Sequence, residues 1–191
     1  MHLFTYYYGY LVSAKTVRCV FGALHKGAHF FMAESCCFIG ETDKFLPEKK
    51  KAELSVCLTV LYSHLIFRKG VKLYRFIFFG DFFAVANPAL ELFFPVEPDL
   101  RRVLFTTVEE QRYISFFDSF RCRFEERRSL LLGNGDSLQK ALIDESDYCI
   151  FYLDTQKCSP DSLDAFRYAA SQGKKILNLF DLQRIGEVFS I

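Results

Sequence analysis

The sequence has no tryptophan, no C-x-x-C pair and no run of eighteen uninterrupted apolar residues. The missing apolar run argues against a membrane-spanning helix. Without paired cysteine spacing, the seven cysteines give no support to a zinc site or a thioredoxin-type motif, so we expect free thiols in the cytoplasm. The net charge of +1 gives no sign of binding to nucleic acid or to a membrane surface.

Residues 1–33 lack acidic side chains altogether, so all 23 aspartates and glutamates follow them. The segment does not fit a secretory signal, because Lys15 and Arg18 do not precede an apolar core as the basic residues of a signal peptide do. Two interpretations stay open: the segment packs on the domain as a helix or strand, or it is an extension upstream of a start at Met32. We expect residues 34–191 to form one domain.

Two continuous apolar runs near the end of the chain, Tyr148–Leu153 and Lys175–Phe180, are typical of strands buried on both faces of a parallel sheet. The segment between them has helical spacing. Its predicted start is Ser159 as N-cap with Pro160 at the first helical position, and its predicted end is Gly173. The pattern therefore predicts a βαβ unit, with its loops at the edge of the sheet where such folds bind ligands.

Three earlier strands are predicted at Ser35–Ile39, Leu73–Phe79 and Arg102–Phe105. Together with the two later runs they give five strands alternating with helical segments. This alternation predicts a three-layer, Rossmann-like α/β domain with a five-stranded parallel sheet. The expected strand order is 3-2-1-4-5, with the switch point between the first and fourth strands.

Four further helices are predicted between these strands. Pro47 opens one whose buried face carries leucines at 54, 58, 61 and 65. A short helix is expected to begin only at about Pro88, because proline breaks a helix that started before it. A third follows a capping box at Thr107 and carries an aromatic stripe to Phe124. Asp136 is predicted to cap the last of these.

The segment from Asp144 to Leu179 resembles the C-terminal half of the SLOG superfamily, in its YpsA-like bacterial branch. The matching pattern is D-x-S-D-Y-x-I-x-Y, a loop, and a helix that ends Y-A-x-x-x-G-K-x-I-x-N-L. The resemblance implies a Rossmann-like domain that binds a nucleotide or a nucleotide-derived ligand. The matching residues are Asp144, Ser146, Asp147, Tyr148, Ile150, Tyr152, Tyr168, Ala169, Gly173, Lys174, Ile176, Asn178 and Leu179.

Three loops depart from the pattern that this resemblance implies. After the first strand the family carries G-H-R where this chain has Gly40-Glu41-Thr42, and a glutamate there should repel an anion. After the second strand Phe79 and Phe82 flank Gly80 in place of a glycine-rich turn. After the fourth strand Asp161-Ser162 stand where the family has small residues, typically G-T, at the start of a helix. The chain is also expected to lack a strand that the family has between Phe124 and Asp144. The ligand residues that the resemblance implies are Gly40, Thr42, Gly80, Asp144, Ser146, Asp154, Ser159 and Ser162.

Three functions are open at this stage. The first is non-enzymatic binding of a nucleotide-like small molecule, with binding weakened by the altered loops. The second is a degenerate module that keeps the fold for interaction with a partner. The third is cleavage or exchange of a nucleotide glycosidic bond, but Ala165 stands where the related deoxyribosyltransferases carry their glutamate. We assign no catalytic residue, metal or cofactor, and the presence of a homo-oligomer is left open.

Overall fold

The computed structural model describes residues 34–41, 45–77, 80–107, 126–130 and 137–182. They form a parallel sheet of six strands with helices on both of its faces, which is a Rossmann-like α/β architecture. Among these residues no helix is both long and apolar enough to cross a membrane. The predictions for residues 1–33, for Thr42 and for the aromatic stripe that ends at Phe124 lie outside the described residues.

The sheet has the order β4-β3-β2-β1-β5-β6, and every neighbouring pair is parallel. The central strand β1 therefore has β2 on one side and β5 on the other. The chain leaves β1 in one direction across the sheet and returns in the other, which makes the β1–β5 boundary the switch point. The strands are β1 (Ser35–Gly40), β2 (Leu73–Ile77), β3 (Arg101–Thr107), β4 (Glu126–Leu130), β5 (Tyr148–Tyr152) and β6 (Lys175–Asn178).

The five predicted strands are confirmed in the predicted order, which reads β3-β2-β1-β5-β6 in the numbering of the structure. The sixth strand, β4, was not predicted, and the expectation that no strand lies between Phe124 and Asp144 is wrong. Its sequence, ERRSL, lacks the apolar run that marks the other strands. A strand at the edge of a sheet pairs with one neighbour only and tolerates charged residues, so its sequence carries a weaker signal.

The helices form two layers. On one face α1 and α2 cover Phe38 of β1, whose ring packs against Tyr62 of α1 and Phe82 of α2. On the other face α3 and α4 cover Cys37 of β1 and Cys149 of β5. The buried residues of α1 include the four leucines predicted for its inner face. The helices are α1 (Glu48–Phe67), α2 (Gly80–Glu91), α3 (Leu138–Asp144) and α4 (Pro160–Ser171).

The predicted start of α2 at about Pro88 is wrong, since the helix begins at Gly80 and contains Pro88 as an interior residue. Proline removes one backbone hydrogen bond from a helix. Here Val85 and Ala86 before it, and Leu90 after it, are buried against the sheet. This burial holds the helix together across the missing bond.

The ends of α4 agree with the predicted cap and glycine, whereas the start of α3 differs by one residue from its predicted cap. Ser159 caps α4 as predicted, because its side chain accepts a hydrogen bond from the amide of Ser162. Gly173 follows the end of α4 with a φ of +65°, as the glycine signal predicted. The cap of α3 is Ser137 and not the predicted Asp136, since Ser137 accepts from the amide of Lys140 at 3.1 Å.

A polar cluster closes the amino-terminal edge of the sheet beside the switch point. The Glu34 carboxylate accepts hydrogen bonds from Lys175 Nζ at 2.7 Å and from the Tyr148 hydroxyl at 2.6 Å. Burial alone would raise the pKa of Glu34, but these two hydrogen bonds and the charge of Lys175 outweigh burial and lower it. The cluster ties the residue before β1 to the first residues of β5 and β6.

We expect Glu34→Gln to reduce stability by about 1 kcal/mol at pH 7, because it removes a carboxylate that accepts two hydrogen bonds. A lowered folded-state pKa means that this stabilisation is present above the unfolded-state pKa and is lost as the pH falls through the folded-state value. The difference between wild type and variant in urea unfolding should therefore shrink as the pH falls below about 4.

Glu53→Gln is the matched control, because the Glu53 pair with Lys50 is half exposed to solvent on α1. It should change stability less at pH 7. A pH-independent difference for Glu34→Gln would show that the carboxylate charge of Glu34 is not what stabilises this edge.

Candidate functional site

The candidate site lies at the carboxyl-terminal edge of the sheet, at the switch point between β1 and β5. Gly40 ends β1 and pairs in register with Tyr152, which ends β5. The chain then continues as Glu41 on one side and as the loop from Leu153 to Ser159 on the other. Crevices at this position bind ligands in open α/β sheets, so the side chains that follow these two strands define the site.

Asn178, the last residue of β6, fixes the loop that follows β5. Its side-chain oxygen accepts from the Leu153 amide at 3.0 Å, and its side-chain nitrogen donates to the Leu153 carbonyl at 2.8 Å. The buried side-chain amide of Asn178 thus bonds both backbone groups of Leu153, as the main chain of a neighbouring strand would. Asp154 comes next and accepts the amides of Lys157 and Cys158 at its backbone carbonyl. These hydrogen bonds therefore fix the first two residues of the loop, Leu153 and Asp154.

The loop leads into the amino terminus of α4, where two backbone amides, those of Ser159 and Ser162, donate to side chains of the protein itself. The Ser159 amide donates to Glu41 Oε1 at 2.7 Å. The Ser162 amide donates to Ser159 Oγ at 3.2 Å, and the two hydroxyls are 3.0 Å apart. Glu41 was predicted only to repel an anion. In the structure its carboxylate itself occupies the amino-terminal end of the helix.

Phe82 of α2 fills the space above Gly40. A Cβ added at Gly40 would lie 2.5 Å from the Cβ of Phe82, so only glycine fits there. The Phe82 ring also stacks on Tyr152, with ring centroids 5.7 Å apart and planes at 16°. The space that a glycine after β1 would leave for a ligand is thus occupied by the Phe82 ring.

The amino terminus of α2 is likewise held by a carboxylate that contacts another segment of the chain. Gly80 begins the helix with a φ of +90°, a conformation that favours glycine. The next residue, Asp81, accepts from the Leu46 amide at 2.6 Å and lies 3.4 Å from Lys51 Nζ. Asp81 thereby fixes Phe45 and Leu46 beside α2, where they form one side of the crevice.

A cavity of about 400 Å³ remains outside Phe82. Tyr152 and Phe180 form one corner of it, with ring centroids 5.7 Å apart and planes at 68°. Burial raises the pKa of Tyr152, so its hydroxyl stays protonated at neutral pH. Within the part of the chain that the structure describes, the lining combines aromatic rings with two carboxylates and one ammonium group. These lining residues are Glu41, Phe45, Leu46, Phe82, Tyr152, Asp154, Lys157 and Phe180.

The structure brings together only part of the predicted ligand set. Gly40, Asp154, Ser159 and Ser162 lie at the switch point, and Gly80 lies at the start of the neighbouring α2. Of these, Asp154 lines the cavity. Gly40 is covered by Phe82, and Ser159 and Ser162 are hydrogen-bonded to each other.

Asp144 and Ser146 lie at the opposite edge, because they precede β5 and the site follows it. The length of β5 alone separates them from the cavity by roughly 13 Å. Asp144 accepts from the Tyr168 hydroxyl at 2.7 Å, and Ser146 Oγ donates to the Leu142 carbonyl at 2.8 Å. Both side chains thus hold helices in place at the amino-terminal edge and do not join the other residues of the predicted set.

Sequence reasoning did not select Glu41, Phe45 or Phe180 as ligand residues. Phe45 and Phe180 are largely exposed aromatic residues just beyond buried segments, at 78% and 46% of their surface. Such exposure at a strand edge is a signal for a binding surface, but it is visible only in the folded chain. In the described ranges, histidine, cysteine and carboxylate side chains form no cluster of three or more that could hold a metal ion.

No protein-family model matches this chain, and a search of curated proteins finds no match for it either.

We expect Ser159→Ala to lower the free energy of unfolding by about 0.5–2 kcal/mol, because it removes the side-chain cap of α4. Ser171→Ala is the matched control at the other end of the same helix, where the serine is exposed. It should change stability by less than about 0.5 kcal/mol. Urea unfolding measures both, and equal losses would contradict the capping role of Ser159.

Proposed function

We propose that this chain is a non-enzymatic, SLOG-type domain that binds a nucleotide-derived ligand in the cavity at the switch point. The observation that carries the proposal is the corner of Tyr152 and Phe180 beside a carboxylate, in a cavity of about 400 Å³ at the carboxyl-terminal edge of a Rossmann-like sheet. Cavities of this size accept small organic ligands. The resemblance of Asp144–Leu179 to the YpsA-like branch supports the same class of ligand.

The aromatic corner suits a planar ring. A nucleobase has a π-face that stacks on tyrosine or phenylalanine, and each such contact contributes about 1–3 kcal/mol to binding. Phe180 is the more exposed of the two rings and forms the outer side of the corner, while Tyr152 is held from behind by Phe82. A ring that enters the cavity therefore contacts the fixed ring of Tyr152 on one side and the more exposed ring of Phe180 on the other.

Asp154 suits the sugar of such a ligand. Its Oδ1 accepts from the Gln156 amide at 3.1 Å, and Lys157 Nζ lies 3.9 Å from Oδ2. These contacts hold the carboxylate at the rim of the cavity, with its side chain partly exposed. Carboxylates accept hydrogen bonds from ribose hydroxyls, as an aspartate or glutamate does in dinucleotide-binding Rossmann domains, although there it follows a different strand. We therefore assign the ribose contact to Asp154.

The residue at one position of α4, where the related deoxyribosyltransferases carry their catalytic carboxylate, supports binding without turnover. Ala165 stands at the position that carries the glutamate in the related deoxyribosyltransferases, and it is buried in the core between α4 and the sheet. A carboxylate there would need space that the packing does not provide. The two carboxylates of the described lining, Glu41 and Asp154, both lie outside α4.

A second candidate function, an interaction module without a small ligand, is favoured by Phe82 and Phe45. Phe82 closes the space above Gly40, and Phe45 is 78% exposed at the mouth of the cavity. Exposed aromatic residues around a partly closed crevice also suit contact with a protein partner. The two candidates differ in whether a small molecule alone binds.

We also propose a cytoplasmic location. Five cysteines in the described part of the chain carry free thiols, and three of them, at positions 36, 37 and 149, are buried in the sheet. Free thiols of this kind persist in a reducing compartment.

The binding proposal predicts that at least one of adenosine, guanosine, cytidine, uridine and their 5′-monophosphates binds the purified full chain in calorimetric titration. Tyr152→Leu should weaken that binding about tenfold or more, because it removes the stacking surface and keeps an apolar side chain. Tyr168→Leu is the matched control, since Tyr168 lies on α4 near Asp144 at the other edge of the sheet. It should leave the affinity unchanged.

Urea unfolding of both variants shows whether a loss of binding reflects a loss of folding. If none of the eight compounds binds to folded wild-type protein, the small-molecule proposal fails and the interaction module takes its place. Equal weakening by Tyr152→Leu and Tyr168→Leu would show that the ligand binds elsewhere.

A further inference from the structure

The amino terminus of α4 is the place in this fold where an anionic ligand would find backbone donors, and Glu41 already occupies it. Its Oε1 accepts the Ser159 amide at 2.7 Å, a contact between residues 118 positions apart in the chain. A carboxylate at a helix amino terminus interacts favourably with both the free amides and the helix dipole. The protein thus supplies its own anion at this position.

Part of the usual anion-binding capacity of this helix is already used within the protein. The Ser162 amide donates to Ser159 Oγ, and Pro160 at the first helical position has no N–H to offer. A phosphate group would have to displace the Glu41 carboxylate to reach the Ser159 amide. It would then lie beside that displaced negative charge.

The charged side chains around the cavity also disfavour a phosphate group. The described lining contributes the carboxylates of Glu41 and Asp154 and one ammonium group, that of Lys157. Lys157 Nζ lies 3.9 Å from Asp154 Oδ2, so part of its charge is already balanced. The described lining therefore has a negative excess next to its aromatic rings. Neutral or cationic rings suit such a cavity, and phosphates do not.

We propose that Glu41 determines the specificity of this site by excluding phosphate, so that the ligand is a nucleoside and not a nucleotide. This inference rests on the proposed binding function and narrows its ligand class. Glu41 acts as a fixed counter-anion at the helix terminus, while the rings of Tyr152 and Phe180 hold the base and Asp154 holds the sugar hydroxyls. The altered loop after β1 changes what the site binds rather than abolishing binding.

The test compares each of adenosine, guanosine, cytidine and uridine with its own 5′-monophosphate, by calorimetric titration of the full chain at low salt. Wild-type protein should bind the preferred nucleoside about tenfold or more tightly than its monophosphate. Glu41→Gln keeps an oxygen acceptor for the Ser159 amide but removes the charge. It should reduce this preference about tenfold, mainly through tighter binding of the monophosphate, and added salt should diminish the difference between wild type and variant.

Two further variants serve as controls. One removes a negative charge far from the site, and the other keeps the charge of residue 41 but changes the length of its side chain. Asp144→Asn removes one negative charge at the opposite edge of the sheet and should leave the preference at its wild-type value. Glu41→Asp keeps the charge on a shorter side chain and should keep the preference for the nucleoside. Urea unfolding confirms that each protein is folded before it is titrated.

The inference is overturned if wild-type protein binds the monophosphate as tightly as the nucleoside or more tightly. It is equally overturned if Glu41→Gln leaves the preference where Asp144→Asn leaves it. In both cases the proposed binding function stands, because a ligand of the expected class binds. If no nucleoside and no monophosphate binds to any folded variant, the binding function itself is refuted, and the inference falls with it.

Discussion

The parallel pairing of β1 with β5 is the interaction on which the rest of the described structure depends. Five register pairs join the two strands, from Cys36 with Tyr148 to Gly40 with Tyr152. Each end of the pair is secured by a carboxylate. At the amino-terminal end Asp147 accepts from the Ser35 amide at 2.8 Å, and at the other end Glu41 accepts from the Ser159 amide at 2.7 Å. These contacts join the first βαβ half of the domain to the second.

The same pairing decides the chemistry of the crevice. It brings Gly40 next to Tyr152, and Phe82 packs across both residues. The polar groups nearest the switch point are used in holding α2 and α4, as shown by Asp81 with Leu46 and by Glu41 with Ser159. What remains for a ligand is aromatic surface with a negative border. These features are the basis of our proposal that the site favours ring stacking over phosphate binding, unlike the phosphate-binding crevices that Rossmann-like folds often carry.

The placement of Asp144 and Ser146 separates them from the other described residues of the predicted ligand set. Both residues belong to the pattern on which the SLOG resemblance rests, and both were assigned to the ligand on that basis. They precede β5, so a parallel sheet places them at its amino-terminal edge, away from any ligand at the carboxyl-terminal edge. Their contacts with Tyr168 and Leu142 give them a structural role, which explains their part in the pattern without a ligand.

The sequence by itself determined the elements whose signals are local. Buried strands such as β5 show continuous apolar runs, and α4 carries its serine cap, its proline and its final glycine within one short segment. The strand β4 and the full length of α2 were decided by tertiary packing, because an edge position tolerates charges and burial outweighs one proline. The role of Glu41 was likewise decided only in the folded chain. Its partner is Ser159, and no pattern within one segment specifies which side chain will meet a helix terminus 118 residues away.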